Sequence, residues 1–229
     1  MQWRQILNEV VQFCISYQKQ KQKNHTHADD VGLASDTGFA SDNVATSSLE
    51  LNPQKVAQHF FQPDAEVHWK NTRCIIHSMK AYGLQDHRQA AYILATVWHE
   101  TNATMQPVKE AYWLSENWRK QNLRYYPYYG RGLVQITWKE NYSKAGNKLG
   151  YGEQFANNPD MVMDQDISVK ILVRGSKEGW FTTRKLSDYI DKEQSKKDYT
   201  NARRIINGMD KATKIANEAI VFEKALRSY

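Results

Sequence analysis

Two glutamates ten positions apart, Glu100 and Glu110, offer the pair of carboxyl groups that acid–base chemistry at an acetal carbon needs. One carboxylic acid can protonate a leaving oxygen while a carboxylate on the opposite face activates water; inverting glycosidases hold such a pair about 6.5–9.5 Å apart. Glu100 closes the segment DHRQAAYILATVWHET, Asp86 to Thr101, in which Ala90, Ile93, Leu94 and Val97 form an apolar row at helical spacing. At about 100° per residue, Glu100 falls about 20° from Ile93 around the helix axis, on that same row. A carboxyl there is costly to ionise, so its pKa is expected to rise, as a general acid near neutral pH requires. The position also fits a glutamate emerging into solvent or one paired with an arginine. Glu110 follows in the irregular stretch MQPVKEAYW, and Glu116 is its rival for the second role.

Polar and aromatic groups suited to sugar lie downstream. The run YYPYYGRG, Tyr125 to Gly132, combines four tyrosines with a proline and two glycines. Such rings can stack on a flat ligand, or pack the loop on the core. Behind it, Leu133 to Thr137 alternates like a strand. Val134 and Ile136 then face the core, which leaves Gln135 and Thr137 on the open side with Asn141 shortly after. An amide and a hydroxyl suit sugar hydroxyl and N-acetyl groups, or a positioned water.

The elements that must hold these residues are mostly helical. Apolar periodicity predicts helices over 53–61, 71–83, 86–101, 139–149, 166–178 and 211–227. Asp86 with Gln89 three residues on reads as a capping box opening the helix that carries Glu100. There is no glycine-rich phosphate loop, no nucleotide-binding βαβ pattern and no Gly-x-Ser-x-Gly elbow. The fold class implied is mainly α with one small β element.

Ahead of this body lies a different kind of chain. Residues 1–22 read as a short amphipathic helix with Ile6, Val10 and Cys14 at four-residue spacing. Arg4 and Glu9 interrupt any apolar core of a signal peptide, so synthesis in the cytoplasm without one is expected. Asn24 to Ser48 is rich in Ser, Thr, Asp, Asn and Gly, with GLASD and GFASD as an imperfect repeat, and reads as a linker. Residues 1–50 therefore form an N-terminal helix and polar linker, and residues 51–229 the catalytic domain. The first part carries a net charge of −2 and the second +8. A basic body is drawn to an anionic polymer, whether nucleic acid, membrane surface or bacterial wall, and a merely solvated surface is the commonest cause of such a charge. No apolar run approaches the roughly 18 residues of a membrane span. Two cysteines, Cys14 and Cys74, are too few for a disulfide scaffold and read as reduced thiols. His25 and His27 sit in the linker, and no Cys/His cluster has metal-ligand spacing.

Several pieces, in order, resemble the family-nineteen glycoside hydrolases, which include plant chitinases and many phage endolysins. They are His99-Glu100-Thr101, then Glu110, YYGRGLVQITWKENY (Tyr128 to Tyr142), NPDMV (Asn158 to Val162), GWF (Gly179 to Phe181) and ARRIINGMDKA (Ala202 to Ala212). The likeness covers roughly residues 51–229 and is closest to endolysins of phages of Gram-negative bacteria such as Acinetobacter. It implies a lysozyme-like, two-lobed, mainly α domain with an inverting mechanism. By that resemblance Glu100 matches the general acid, Glu110 the general base, and Thr137 the residue that helps hold the attacking water. Gln135, Asn141 and Asn207 match substrate-binding residues, and His99 the histidine beside the acid. The run between the two carboxylates is shorter than in plant chitinases.

The function implied is a muramidase that cuts the β-1,4 bond between N-acetylmuramic acid and N-acetylglucosamine, with no metal or cofactor. Its expected partner is bacterial peptidoglycan, not nucleic acid, with no stable membrane insertion. An immunity protein joins only if the chain is an antibacterial effector. A phage or prophage endolysin released through a holin is the other setting, and both act in the periplasm or wall. Chitin is the alternative substrate. A non-catalytic wall-binding or membrane-active protein is the alternative of another class.

Overall fold

The computed structural model describes residues 65–191 and 198–226. The helix expected over 1–22, the linker with its histidines, the start of the body at Leu51 and the helix expected over 53–61 lie outside the described residues, as does Cys14.

Helices carry the described chain. In order they are α1 (Ala65–Ala81), α2 (His87–Glu100), α3 (Glu116–Asn122), α4 (Lys139–Leu149), α5 (Gln154–Asn157), α6 (Gln165–Glu178), α7 (Tyr199–Ala202) and α8 (Ala212–Leu226). Short 3₁₀ stretches at Pro159–Met163, Leu186–Asp188 and Arg203–Ile205 join some of them. Strands β1 (Val108–Lys109) and β2 (Arg131–Gly132) pair antiparallel. The mainly α class with one small β element, read from the sequence, is the class observed. The helix read over 139–149 has those bounds, three others differ by one residue at one or both ends, and the one read over 71–83 spans Ala65–Ala81.

Helix α2 sits in the middle of the packing. Every residue from Ala90 to Val97 is buried, so the helix is enclosed all round instead of exposing one polar face. Helix α8 packs against it and buries Ile215, Ala219 and Phe222. Asp86 caps α2 as expected, accepting from the backbone N–H groups of Arg88 and Gln89. The reciprocal half of a capping box is not made. The Gln89 amide instead donates to the carbonyl of Ile190 at 2.7 Å, which ties the helix start to a distant loop.

The stretch read as a strand, Leu133 to Thr137, is a tight loop. The backbone of Arg131 pairs with Ile136, and the chain reverses between them with Gln135 at φ 53°. Val134 and Ile136 are buried while Gln135 and Thr137 stay half-buried, so the faces are as read although the conformation is not. The Leu133 N–H donates to Ser168 Oγ of α6 at 2.7 Å, and this fixes the loop on the helical body. Gly132 is required there: its φ is +83°, and a Cβ would stand 2.6 Å from Ser168 Oγ.

Candidate active site

Helix α2 delivers Glu100 at its last turn. Thr101 follows as the cap, and its hydroxyl donates to the Val97 carbonyl while accepting from the Met105 N–H. Asn102, Ala103 and Met105 all take positive φ, which turns the chain sharply back. The return brings β1, and then Glu110, past the end of the helix.

The Glu100 carboxyl is 16% exposed and is not the lone acid that the apolar row implied. Arg203 Nη1 donates to its Oε1 at 2.7 Å, and that guanidinium is itself only 3% exposed. Arg203 is steadied by a second bond, from its Nε to the carbonyl of Asp210. Beside it, partial burial lowers the pKa of His99 below its ordinary value, against the opposing pull of the Glu100 charge. His99 is therefore a neutral imidazole at neutral pH.

Glu110 is held in a contrasting way, by neutral donors. Tyr125 Oη donates to Oε1 at 2.7 Å and the Gly130 N–H donates to Oε2 at 2.9 Å. Burial first, then the neighbouring Glu110, pushes the Tyr125 phenol up to about 12, so it stays a donor. A Cβ on Gly130 would meet Gln135 Oε1 at 2.8 Å and Glu110 Oε2 at 3.3 Å, which explains the glycine. Arg119 donates to the carbonyls of Glu110 and Ala111, and Ala111 takes φ 50°. The rival Glu116 faces elsewhere: it is half exposed and accepts from Tyr129 Oη and Arg119.

One open cleft of about 310 Å³ has His99, Glu100, Glu110 and Gln135 in its wall, together with Lys109 and Trp113. The structure thus brings four of the seven site residues read from the sequence into one wall. Thr137 lies just behind it, donating to the carbonyl of Gln135 at 3.0 Å. Asn141 donates to the carbonyl of Thr137 and borders a separate small void with Trp180 and Phe181. Asn207 lies on the exposed turn after Arg203–Ile205, its Oδ1 accepting from the Gly208 N–H.

Three contributors were not singled out in the sequence: Arg203, Lys109 and the aromatic pair Tyr112–Trp113. Trp113 is 71% exposed, with its ring edge-on to Tyr112 at 5.2 Å between centroids. Its place three residues after Glu110 in KEAYW is a legible cue. The tyrosine run is less open than expected. Tyr129 is buried under the Arg131 guanidinium, 3.6 Å from its ring centre, and Tyr125 is engaged with Glu110. Among the described residues, no group of three or more His, Cys, Asp or Glu is placed to hold a metal ion.

Parts of the chain are similar to known proteins. The family profile described as chitinase class I, of glycoside hydrolase family nineteen, matches residues 80–186. The acidic 26 kDa endochitinase of Solanum lycopersicum is 47% identical over 47 residues, which are 20% of this chain and 19% of that one. The acidic endochitinase pcht28 of Solanum chilense is 48% identical over 40 residues, 18% of this chain and 16% of its own. The chain thus spans about a fifth of the length of the curated relatives it matches. In fold, it is similar to the crystal structure of chitinase C from Streptomyces griseus HUT6037. That likeness covers 81% of this chain and 80% of that one, with a TM-score of 0.55 at 21% identity.

Proposed function

We propose that this chain, whose residues 80–186 match the chitinase class I profile, belongs to glycoside hydrolase family nineteen and is a bacteriolytic muramidase. It hydrolyses the β-1,4 bond between N-acetylmuramic acid and N-acetylglucosamine with inversion. The observation that carries this reading is that one open cleft holds two carboxyls on different supports: Glu100 beside a buried guanidinium, Glu110 between two neutral donors.

In the step proposed, Glu100 gives its proton to the leaving oxygen as the C1–O bond breaks. Arg203 then stabilises the carboxylate that proton transfer leaves behind, a charge-assisted bond of the stronger kind. On the other face Glu110 takes a proton from water as the water oxygen bonds to C1. Gly130 and Tyr125 keep one lone-pair direction on each Glu110 oxygen occupied, which orients the carboxylate. Trp113 offers a ring face to the sugar chain.

The +8 charge of residues 51–229 supports an anionic wall as the substrate. Chitin is the second reading, favoured by relatives that are themselves named endochitinases. We place the activity in the periplasm or wall, as an endolysin or a delivered effector. A neighbouring holin gene supports the first and an immunity gene the second.

The test compares Glu100→Gln with wild type on purified peptidoglycan, on chitin oligomers and on an aryl glycoside with an activated leaving group. General acid catalysis contributes about 10²–10⁴-fold, so the variant loses that much on the natural polymers. It loses far less on the aryl glycoside, whose leaving group needs no proton. A variant retaining above about one tenth of wall-degrading activity sinks the assignment. Reducing-end analysis reads the substrate: new N-acetylmuramic acid ends mark a muramidase, and faster turnover of chitin oligomers marks a chitinase.

A further inference from the structure

Pairing of β1 with β2 sets Lys109 directly opposite Arg131. Two cations opposite each other across a strand pair repel and destabilise the rung. Asp160, from the 3₁₀ stretch Pro159–Met163, lies between them. Its Oδ1 accepts from Arg131 Nε at 2.8 Å, and its Oδ2 accepts from Lys109 Nζ at 2.8 Å. Burial works against its charge, yet those two bonds hold its carboxyl below the usual range.

The two ends of this clamp are unequal. Arg131 is fixed: it is 4% exposed, donates also to the carbonyls of Pro127 and Tyr129 and to Tyr142 Oη, and stacks on Tyr129. Lys109 is half-buried in the cleft wall and depends on Asp160 for its anionic partner. Asp160 is 55% exposed, and so open an ion pair contributes little to global stability. Its effect is local. The residues adjoining the two cations are Glu110 and Gly130, and they form the next rung: the Glu110 N–H donates to the Gly130 carbonyl at 2.7 Å, and the Gly130 N–H donates to the Glu110 carboxylate.

We propose that Asp160 is a positioning residue for Glu110: by bridging Lys109 to Arg131 it ties β1 to β2 and holds the adjacent Glu110–Gly130 rung, and with it the carboxylate. The inference rests on the reading of Glu110 as the base. The carboxylate's placement can nonetheless be measured without any turnover.

The experiment is a cycle of wild type, Asp160→Asn, Lys109→Met and the double variant in the full chain. It reads kcat and KM on the polysaccharide that wild type cleaves. Proton–nitrogen spectra in parallel follow the Gly130 amide, with its position in Glu110→Ala as the reference for a broken bond. Misplacing a catalytic group by about 1 Å can cost about 100-fold. Asp160→Asn is therefore expected to lower kcat about 10-fold to 100-fold, with KM within about two-fold. Lys109→Met lowers kcat in the same direction, and the double variant falls no further than Asp160→Asn, because both break one link. The Gly130 amide moves toward its Glu110→Ala position.

An unmoved amide with unchanged kcat overturns the proposal. So does a loss confined to KM, or two single effects that multiply independently. If Asp160→Asn does not fold, Lys109→Met must still move the Gly130 amide, and an unmoved resonance there overturns the proposal equally. Inactivity of wild type on both polysaccharides refutes the function assigned to Glu110, while the amide alone still decides whether Asp160 holds it.

Discussion

The helical body and the cleft wall of this chain are held together by different physics. Around α2 and α8 the contacts are apolar and closed: Ile93, Leu94, Val97, Ile215, Ala219 and Phe222 have virtually no exposure. Between Thr101 and Trp138 the backbone is held by side-chain bonds and clamps instead. Asn102, Ala103, Met105, Ala111, Gln135 and Trp138 all take positive φ in that stretch. Such conformations cost energy and persist only where their surroundings over-determine them, and they cluster at functional sites. The body supplies stability, and the wall uses some of it to hold two carboxyls on one cleft. Substitutions in the two regions should therefore separate activity from stability.

Glu110→Gln is expected to show the largest effect. Loss of the base lowers kcat/KM by about 10²–10⁴-fold, while the amide still accepts from Tyr125 or Gly130 and the fold survives. Glu116→Gln should stay active, because that carboxyl points to Tyr129 and Arg119 outside the cleft. A dead Glu116→Gln beside an active Glu110→Gln moves the base and redraws the wall.

The body should behave in the opposite way. Phe222→Ala removes a fully buried ring from α8 and is expected to cost about 3–5 kcal/mol of stability. Each kcal/mol is worth about 2–4 °C of melting temperature at this size. Below the lowered melting temperature, turnover per folded molecule should stay near wild type. A variant of normal stability with lost turnover would mean that the body reaches into the chemistry.

Gly130→Ala sharpens the comparison within the wall. Its Cβ would crowd Gln135 Oε1 and Glu110 Oε2 and nothing in the apolar body. A kcat loss of about 10-fold is expected from a displaced base, with a melting temperature changed by no more than about 2–4 °C. A collapse of stability at unchanged kcat would place the glycine's role in the body instead.

The same division decided what the sequence disclosed. Long apolar periodicity in α2, α4, α6 and α8 exposes the body directly, because burial against a neighbour requires it. Helices α3, α5 and α7 run only four to seven residues and are too short to show a period. At Leu133 to Thr137 the alternation of buried and open side chains is real, yet a reversing loop produces it as well as a strand does. Glu100 stands where its row puts it, but its partner Arg203 is 103 residues away and leaves no local pattern. Likewise the clamp on Lys109 closes from Asp160, 51 residues on. Motif resemblance found the carboxyls; only the fold shows what holds them.

The smallest expected effect joins the two regions at His99, on the last turn of α2 beside Glu100. Partial burial depresses its folded-state pKa below the ordinary value, and the Glu100 charge opposes that shift without cancelling it. Between the folded pKa and the unfolded value near 6.5, the unfolded chain binds more protons than the folded one. Stability from the neutral imidazole is then fully present above about pH 6.5 and is lost as pH falls through the folded pKa. His99→Gln keeps a polar group there but removes the titration. Wild type should lose about 1–2 °C more than the variant between pH 7.5 and 5.5, since the ring is half open to solvent and screened. The other six histidines contribute equally to both proteins and cancel in the difference. Parallel melting curves would show that burial and the Glu100 charge cancel, and a wild type that gains on acidification relative to His99→Gln would show that the Glu100 charge outweighs burial. Glu100→Gln offers the internal control. With the attracting charge gone, the His99 titration followed by NMR should move further down, and an upward move would break the account of this corner.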